Sequence, residues 1–246
     1  MIFNKQQIMN FLQRISSILI INGGFLSNPG LYTGEMGLVL FFFRYARFSQ
    51  NELFSKYGYD LIEKIQNRIY QETPINYKQG LAGIGGAIEY LVQNGFIQTH
   101  TDEVLEDFDR RIFFTFNLPY LPVEDIMSIR YYAHWRMSGN SSKKDLIQRN
   151  VLLPIEHLFR SHSITPKWNP TYLKDMDDYL VVKTYRHASE HNAINDVFEK
   201  YNHNLGFKNG LAGLGINLLT ELDGDDSWMS LFPNDLTPTK NESIPI

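Results

Sequence analysis

Three segments of the chain open in a cluster of glycines and run on into residues that are apolar on every side: GLYTGEMGLVLFFFRYA from Gly30, GLAGIGGAIEYLV from Gly80 and GLAGLGINLLTEL from Gly210. A helix without a polar face has to be buried all round. Glycine at its start permits tight turns and close approach of neighbouring backbone. A chain that repeats such a unit is constrained to stack helices against one another. Gly30 and Gly80 stand about 50 residues apart, a period typical of helical-hairpin repeats. One further step falls at Arg130, inside Ile129-Arg130-Tyr131-Tyr132-Ala133-His134-Trp135, where a degenerate copy is expected. The next falls near Tyr179-Leu180-Val181-Val182, after which Gly210 arrives early.

Between these segments lie helices of a second kind, apolar on one face only. Ile8, Phe11, Leu12, Ile15, Ile18 and Leu19 recur at three-and-four spacing. Ser49-Gln50-Asn51-Glu52 has the form of a capping box and leads into Leu53, Tyr57, Leu61, Ile65 and Ile69 at four-residue steps. Thr101 before Val104, Leu105, Phe108 and Ile112, and Ser142 before Leu146, Leu152, Ile155 and Phe159, repeat the cap-then-stripe design. Pro154 is expected to kink the last of these. No stretch alternates with period two between hairpin turns, which argues against a substantial sheet. The expected fold is therefore all-α. Residues 1–222 form a helical domain, and residues 223–246 a loop or tail that Trp228, Met229, Leu231 and Phe232 staple to the body.

Composition narrows the function classes. The 246 residues are 43% hydrophobic and only 20% charged, enough to bury a full core. A net charge of −4, with only two basic doublets, argues against nucleic acid as a partner. The longest strictly apolar run, Leu38 to Phe43, falls far short of the roughly 20 residues that cross a bilayer. The N-terminal segment carries no signal-peptide pattern. The expectation is a cytoplasmic protein without a membrane partner. There is no cysteine, so the chain lacks disulfides, thiolate metal ligands and a Cys nucleophile.

The phrases GLAGIGGAIEYL and GLAGLGINLL, with the looser GLYTGEMGLVLFF, resemble the repeats of lanthionine synthetase C-like proteins. That resemblance implies an α/α toroid-like array of helical hairpins, with Gly-started helices inside and amphipathic helices outside. A full ring of the family is longer, so an incomplete ring, an open arc, or closure with a second copy is implied. The family's cyclases hold zinc with two cysteines and one histidine, a Cys-His pair standing immediately before one such glycine. The pairs found here are Asn28-Pro29, Lys78-Gln79 and Lys208-Asn209, which offer zinc no soft ligand. The resemblance thus implies the fold, while the substitutions disfavour the family's thioether cyclisation. A non-catalytic peptide-binding or scaffold role in peptide maturation, without a cofactor, is the expected function. Its binding residues would be Lys78, Gln79, Lys208 and Asn209, with Arg130, Tyr131, His134 and Trp135 from the degenerate copy adding a cation and rings.

Other constellations compete with that reading. His187-Ala188-Ser189-Glu190-His191 matches H-x-x-E-H, in which two histidines on one helix face share a metal and the glutamate acts as base. The alternative function is accordingly a metal-dependent hydrolase, against the plainer account of polar residues on a surface helix. Glu35 and Glu89, just inside two apolar helices, suggest a carboxylate-based glycosidase as a further alternative. Against it stands the simple preference of a carboxylate for the positive end of a helix. The glycine clusters match neither G-x-G-x-x-G nor G-x-x-x-x-G-K-[ST], so tight turns and close packing account for them better than a phosphate cradle. No G-x-S-x-G elbow occurs.

Overall fold

The computed structural model describes residues 5–113, 121–161, 201 and 204–233. The helices are α1 (Lys5–Asn22), α2 (Glu35–Ser49), α3 (Glu52–Gln66), α4 (Leu81–Gln93), α5 (Thr101–Val104), α6 (Glu106–Phe113), α7 (Val123–Ser138), α8 (Lys144–Ile147), α9 (Leu153–Ser161) and α10 (Leu211–Asp223). The described residues contain no strand, and none of their helices is long and apolar enough to cross a membrane. The chain divides into two compact units, Met1–Gln71 with Leu173–Met229, and Glu72–Tyr172 with Ser230–Ile246.

In the first unit α2 packs against α3 and α10, and α10 packs against α1. Burial follows the two kinds of sequence pattern. Residues Glu35 to Ala46 of α2 and Leu211 to Leu219 of α10 are all buried, as helices apolar on every side require. In α1 burial is confined to the stripe Ile8, Leu12, Ile15, Ser16 and Leu19. Rings fill the α2–α3 contact, with Phe42 edge-on to Tyr57 at 4.7 Å. At the far end of the pair α2–α10, Arg44 reaches both carboxylate oxygens of Asp223, at 3.2 and 3.1 Å, and the Asp225 carbonyl at 2.8 Å. Gly224 closes α10 in the left-handed conformation. Trp228 then donates to Thr220 Oγ1 at 2.9 Å and sets its ring 5.3 Å from Phe207. Trp228 and Met229 are buried, as the stapling residues of the tail should be.

In the second unit α4 packs against α5, α6 and α7, and α7 against α8 and the turn that follows it. Leu81 to Leu91 of α4 are all buried. The stretch expected to hold a degenerate copy, Ile129 to Trp135, lies within α7, which begins at Val123 behind Pro122, well before Arg130, and has no glycine turn. Small residues let rings approach the helix axis. A Cβ on Gly85 would stand 2.5 Å from the Tyr132 ring, and one on Gly86 3.1 Å from the Trp135 ring.

Three helix starts differ from the sequence reading. Ser49 ends α2, Gln50 turns left-handed at φ 53°, and the Asn51 side chain caps α3 by accepting from the Leu53 N–H at 3.0 Å. The apparent capping box is thus split between two helices. Thr101 lies inside α5, with its hydroxyl committed to Arg136. Ser142 donates to Asp102, and Lys143 takes the cap position of α8. At Pro154 the structure shows a change of helical turn and no break. A wide π turn at Gln148–Leu152, where the Leu153 N–H donates to the Gln148 carbonyl, precedes the proline, and the helix continues as α9.

Candidate functional site

The three glycine turns share one backbone device. The first two N–H groups of each helix donate to carbonyls seven residues upstream. In α2 these are Glu35 to Asn28 at 2.9 Å and Met36 to Pro29 at 3.3 Å. In α4 they are Leu81 to Pro74 at 2.9 Å and Ala82 to Ile75 at 3.2 Å. In α10 they are Leu211 to Asn204 at 2.8 Å and Ala212 to Leu205 at 3.2 Å. The capping residues are Gly34, Gly80 and Gly210, all extended rather than left-handed. Glycine is needed there for space, because a Cβ would meet the returning backbone: Gly30 N at 2.6 Å from Gly34, Asn76 O at 2.8 Å from Gly80, and Asn204 O at 2.8 Å from Gly210.

This register corrects the alignment of the repeats. Gly34, not Gly30, is the counterpart of Gly80 and Gly210, so the common phrase is Gly34-x-x-Gly37, Gly80-x-x-Gly83 and Gly210-x-x-Gly213. The residues immediately before the capping glycine are therefore Tyr32-Thr33, Lys78-Gln79 and Lys208-Asn209. The pair Asn28-Pro29 instead supplies the accepting carbonyls. Tyr32 and Thr33 were missed because the glycine at position 30 displaces the motif; the G-x-x-G spacing alone would have found them. The device also closes these helix starts to anions, since the leading amides already donate within the chain.

In the second unit the turn lies on α7. The Tyr77 N–H donates to Ser128 Oγ at 3.0 Å, Trp135 Nε1 donates to the Tyr77 hydroxyl at 3.0 Å, and the Tyr77 and Tyr131 rings meet edge-on at 5.6 Å. Lys78 pairs with Glu124 at 3.2 Å. Gln79 is exposed, with its N–H on the Asn76 side chain. Burial and neighbouring Glu124 hold the Asp125 carboxyl above its ordinary range. Tyr77 thus brings Tyr131 and Trp135 together, Tyr131 buried as a core ring and Trp135 half-buried, while Lys78 is matched by the Glu124 carboxylate. Arg130 and His134 lie one turn apart on α7 and feel Glu156 of α9. Burial, and next the Arg130 charge, lower the His134 pKa, so its imidazole stays neutral at pH 7.

In the first unit two turns lie side by side. The Lys208 N–H donates to the Tyr32 carbonyl at 2.6 Å, and a Cβ on Gly206 would stand 2.7 Å from Thr33 Cα. Lys208 and Asn209 are exposed, Asn209 in the left-handed conformation at φ 52°. The eight candidate residues therefore fall into two sets, Lys208 and Asn209 in one unit and the other six in the second.

The carboxylates inside the apolar helices are held by cations. Glu35 is fully buried and its Oε1 is shared by Lys64 and by Arg68 at 3.1 Å. Glu89 is paired with Arg136, as is Asp102. Arg136 is itself wholly buried and spends all its N–H donors. Nε and Nη2 clasp Asp109 at 3.0 Å each, Nη1 serves Glu89 and Thr101, and Nη2 also serves Asp102. Burial would raise the Asp102 pKa, but hydrogen bonds from Ser141, Ser142 and Arg136 outweigh it and hold the carboxyl well below the usual range. Burial, with Asp109 alongside, keeps Tyr132 protonated while its hydroxyl donates to Asp109 at 2.7 Å. No local sequence signal joins these residues, which come from four helices. This arrangement engages Glu89 as a structural ion and gives no support to a glycosidase pair with Glu35, which lies in the other unit.

Zinc does not suit the residues that precede the glycines: Tyr32-Thr33, Lys78-Gln79 and Lys208-Asn209 contain no thiolate and no imidazole. Among the described residues no group of three His, Asp or Glu is placed to hold a metal. His187, Glu190 and His191 lie outside the described residues. Comparison with known protein families, curated proteins and solved structures finds no match in any of the three.

Proposed function

We propose that this chain is a lanthionine synthetase C-like protein without the family's zinc site, and that it binds peptide as a non-catalytic component of a peptide-maturation system. On this reading the two units belong to an α/α toroid-like array, open or completed by a second copy, working in the cytoplasm. The observation that carries it is the recurrence of one hydrogen-bonded glycine turn before three buried helices; where the resemblance would put metal ligands, this chain has Lys78-Gln79 and Lys208-Asn209. Trp135, half-buried and hydrogen-bonded to Tyr77, supplies a ring of the kind that peptide sites favour, whereas Tyr131 is buried in the core.

The test is a fluorescence-anisotropy titration of the full chain against labelled peptides of acidic, basic, aromatic and neutral composition, beside elemental analysis of protein purified without added metal. Saturable binding by a zinc-free protein is expected. Absence of saturable binding across the panel would overturn the reading. One zinc per chain, lost on His191→Ala, would replace it with the metal-hydrolase alternative.

A further inference from the structure

We propose that the paired turns of the first unit form a carboxylate-binding subsite, in which the Lys208 ammonium and the Thr33 hydroxyl receive an acidic group of the peptide. The proposal rests on the peptide-binding reading above and names the chemistry that reading leaves open.

The two residues are neighbours because their backbones touch: Lys208 N–H on Tyr32 O at 2.6 Å, and Gly206 against Thr33 with no room for a Cβ. The contact joins the first and third glycine turns, so the surface is composite, made by segments far apart in sequence and fixed by main chain on both sides. Lys208 is exposed, and among the described residues no carboxylate pairs with it. Thr33 is half-buried and its Oγ1 accepts from Asn28 Nδ2 at 3.2 Å, which leaves the hydroxyl hydrogen available to an outside acceptor. An ammonium that no carboxylate pairs with among the described residues, beside a hydroxyl with an uncommitted hydrogen, suits an acceptor-only anion. The helix amides behind them cannot take that role, since Glu35, Met36, Leu211 and Ala212 all donate within the chain. Lys78 is a poorer candidate: Glu124 pairs with it at 3.2 Å and Asp125 follows Glu124 in sequence.

A carboxylate reaches such a subsite from an acidic side chain or from a peptide C-terminus, and the experiment separates the two. Anisotropy of the full chain is measured with three labelled peptides: one amidated with internal Asp and Glu, one without acidic side chains but with a free C-terminus, and one neutral and amidated. Lys208→Gln and Thr33→Val are compared with Lys56→Gln, which removes the same charge from an exposed site on α3, and with Lys78→Gln. Circular dichroism melts establish that each variant is folded. Lys208→Gln should weaken one or both carboxylate-bearing peptides by about tenfold, the loss of one charge-assisted hydrogen bond. Thr33→Val should weaken the same peptide by a smaller factor, and neither should affect the neutral one. Whichever of the two carboxylate peptides responds identifies the source. Retained affinity in Lys208→Gln, or an equal loss in Lys56→Gln or a larger one in Lys78→Gln, would overturn the subsite while leaving peptide binding in place. A wild-type chain that binds none of the three peptides and none of the wider panel would overturn both.

Discussion

Arg136 on α7 clasps Asp109 on α6 with two parallel hydrogen bonds, Nε to Oδ1 and Nη2 to Oδ2, each 3.0 Å long and both buried. The remaining donors tie in Glu89 of α4 and Thr101 and Asp102 of α5. One side chain thus fastens four helices of the second unit. Burial lowers the Arg136 pKa, but the Asp109 hydrogen bonds and neighbouring charges overcome this, so the guanidinium stays ionised. Removing it would strand Glu89 as a buried carboxylate without a counter-charge and leave Asp109 with Lys143 alone, at 3.2 Å. Arg136→Met should destabilise the protein by about 3–5 kcal/mol in urea unfolding. Arg136→Lys should recover only part of that, because an ammonium cannot fork onto two carboxylate oxygens.

Asp102 makes the same assembly sensitive to acid. Its folded-state pKa lies below its unfolded value, so the stability it contributes is fully present above the unfolded value of about 3.9 and is lost as pH falls from there towards the lower folded value. Between neutral pH and pH 5 this group should contribute no slope. Thermal melts from pH 7 to pH 2 should show the wild type losing stability below about pH 4. Asp102→Asn should be less stable at pH 7 and should show a shallower acid limb. An unchanged acid limb in the variant would contradict the assignment.

The capping glycines give a prediction whose sign is opposite to the usual one. Gly80 has extended dihedrals that alanine adopts freely, and on conformational grounds alone Gly80→Ala would stabilise by about 0.4–1 kcal/mol. The returning backbone reverses this, because Asn76 O lies 2.8 Å from the place an alanine methyl would take. Gly80→Ala should destabilise by about 1–3 kcal/mol, the usual cost of forced overpacking. Gly24→Ala, where a Cβ would meet nothing within 4 Å, is the matched control and should not destabilise appreciably. Equal effects at the two positions in urea titrations would show that space at Gly80 is not the constraint.

The helices were legible in the sequence because burial is written as composition along them. The all-round apolar runs after Gly80 and Gly210, and the one-sided stripe of α1, became the buried and half-buried helices of the two units. Caps were read less well, because serine and threonine have other uses. Ser142 and Thr101 match the capping pattern, yet both serve the ionic assembly around Asp102 and Arg136. Register was harder still. Gly30 opens the first glycine cluster, but which glycine caps the helix depends on a hydrogen bond to a carbonyl seven residues back, and that is invisible in a string of letters. The neighbouring of Thr33 and Lys208 depends on contacts between segments at opposite ends of the sequence, which local pattern does not encode.

Glu35 marks the one place where the three turns differ in kind, and the difference can be tested. It occupies the first position of α2, where α4 has Leu81 and α10 has Leu211. All three side chains are fully buried, but only Glu35 needs a counter-charge, which α3 supplies through Lys64 and the residue just beyond its end, Arg68. Both cations also donate to the preceding loop, Lys64 to Gly24 O at 2.7 Å and Arg68 to Leu26 O at 2.6 Å. Loss of one cation leaves the carboxylate with the other, whereas loss of both leaves a buried charge unmatched. Lys64→Met and Arg68→Met should therefore each cost little, about 1 kcal/mol, while the double variant should cost more than their sum. Glu35→Leu, the residue its counterparts use, removes the charge and should rescue the double variant to near the single-variant stability. Additive single effects in urea unfolding, or no rescue by leucine, would show that the two cations do not act through Glu35.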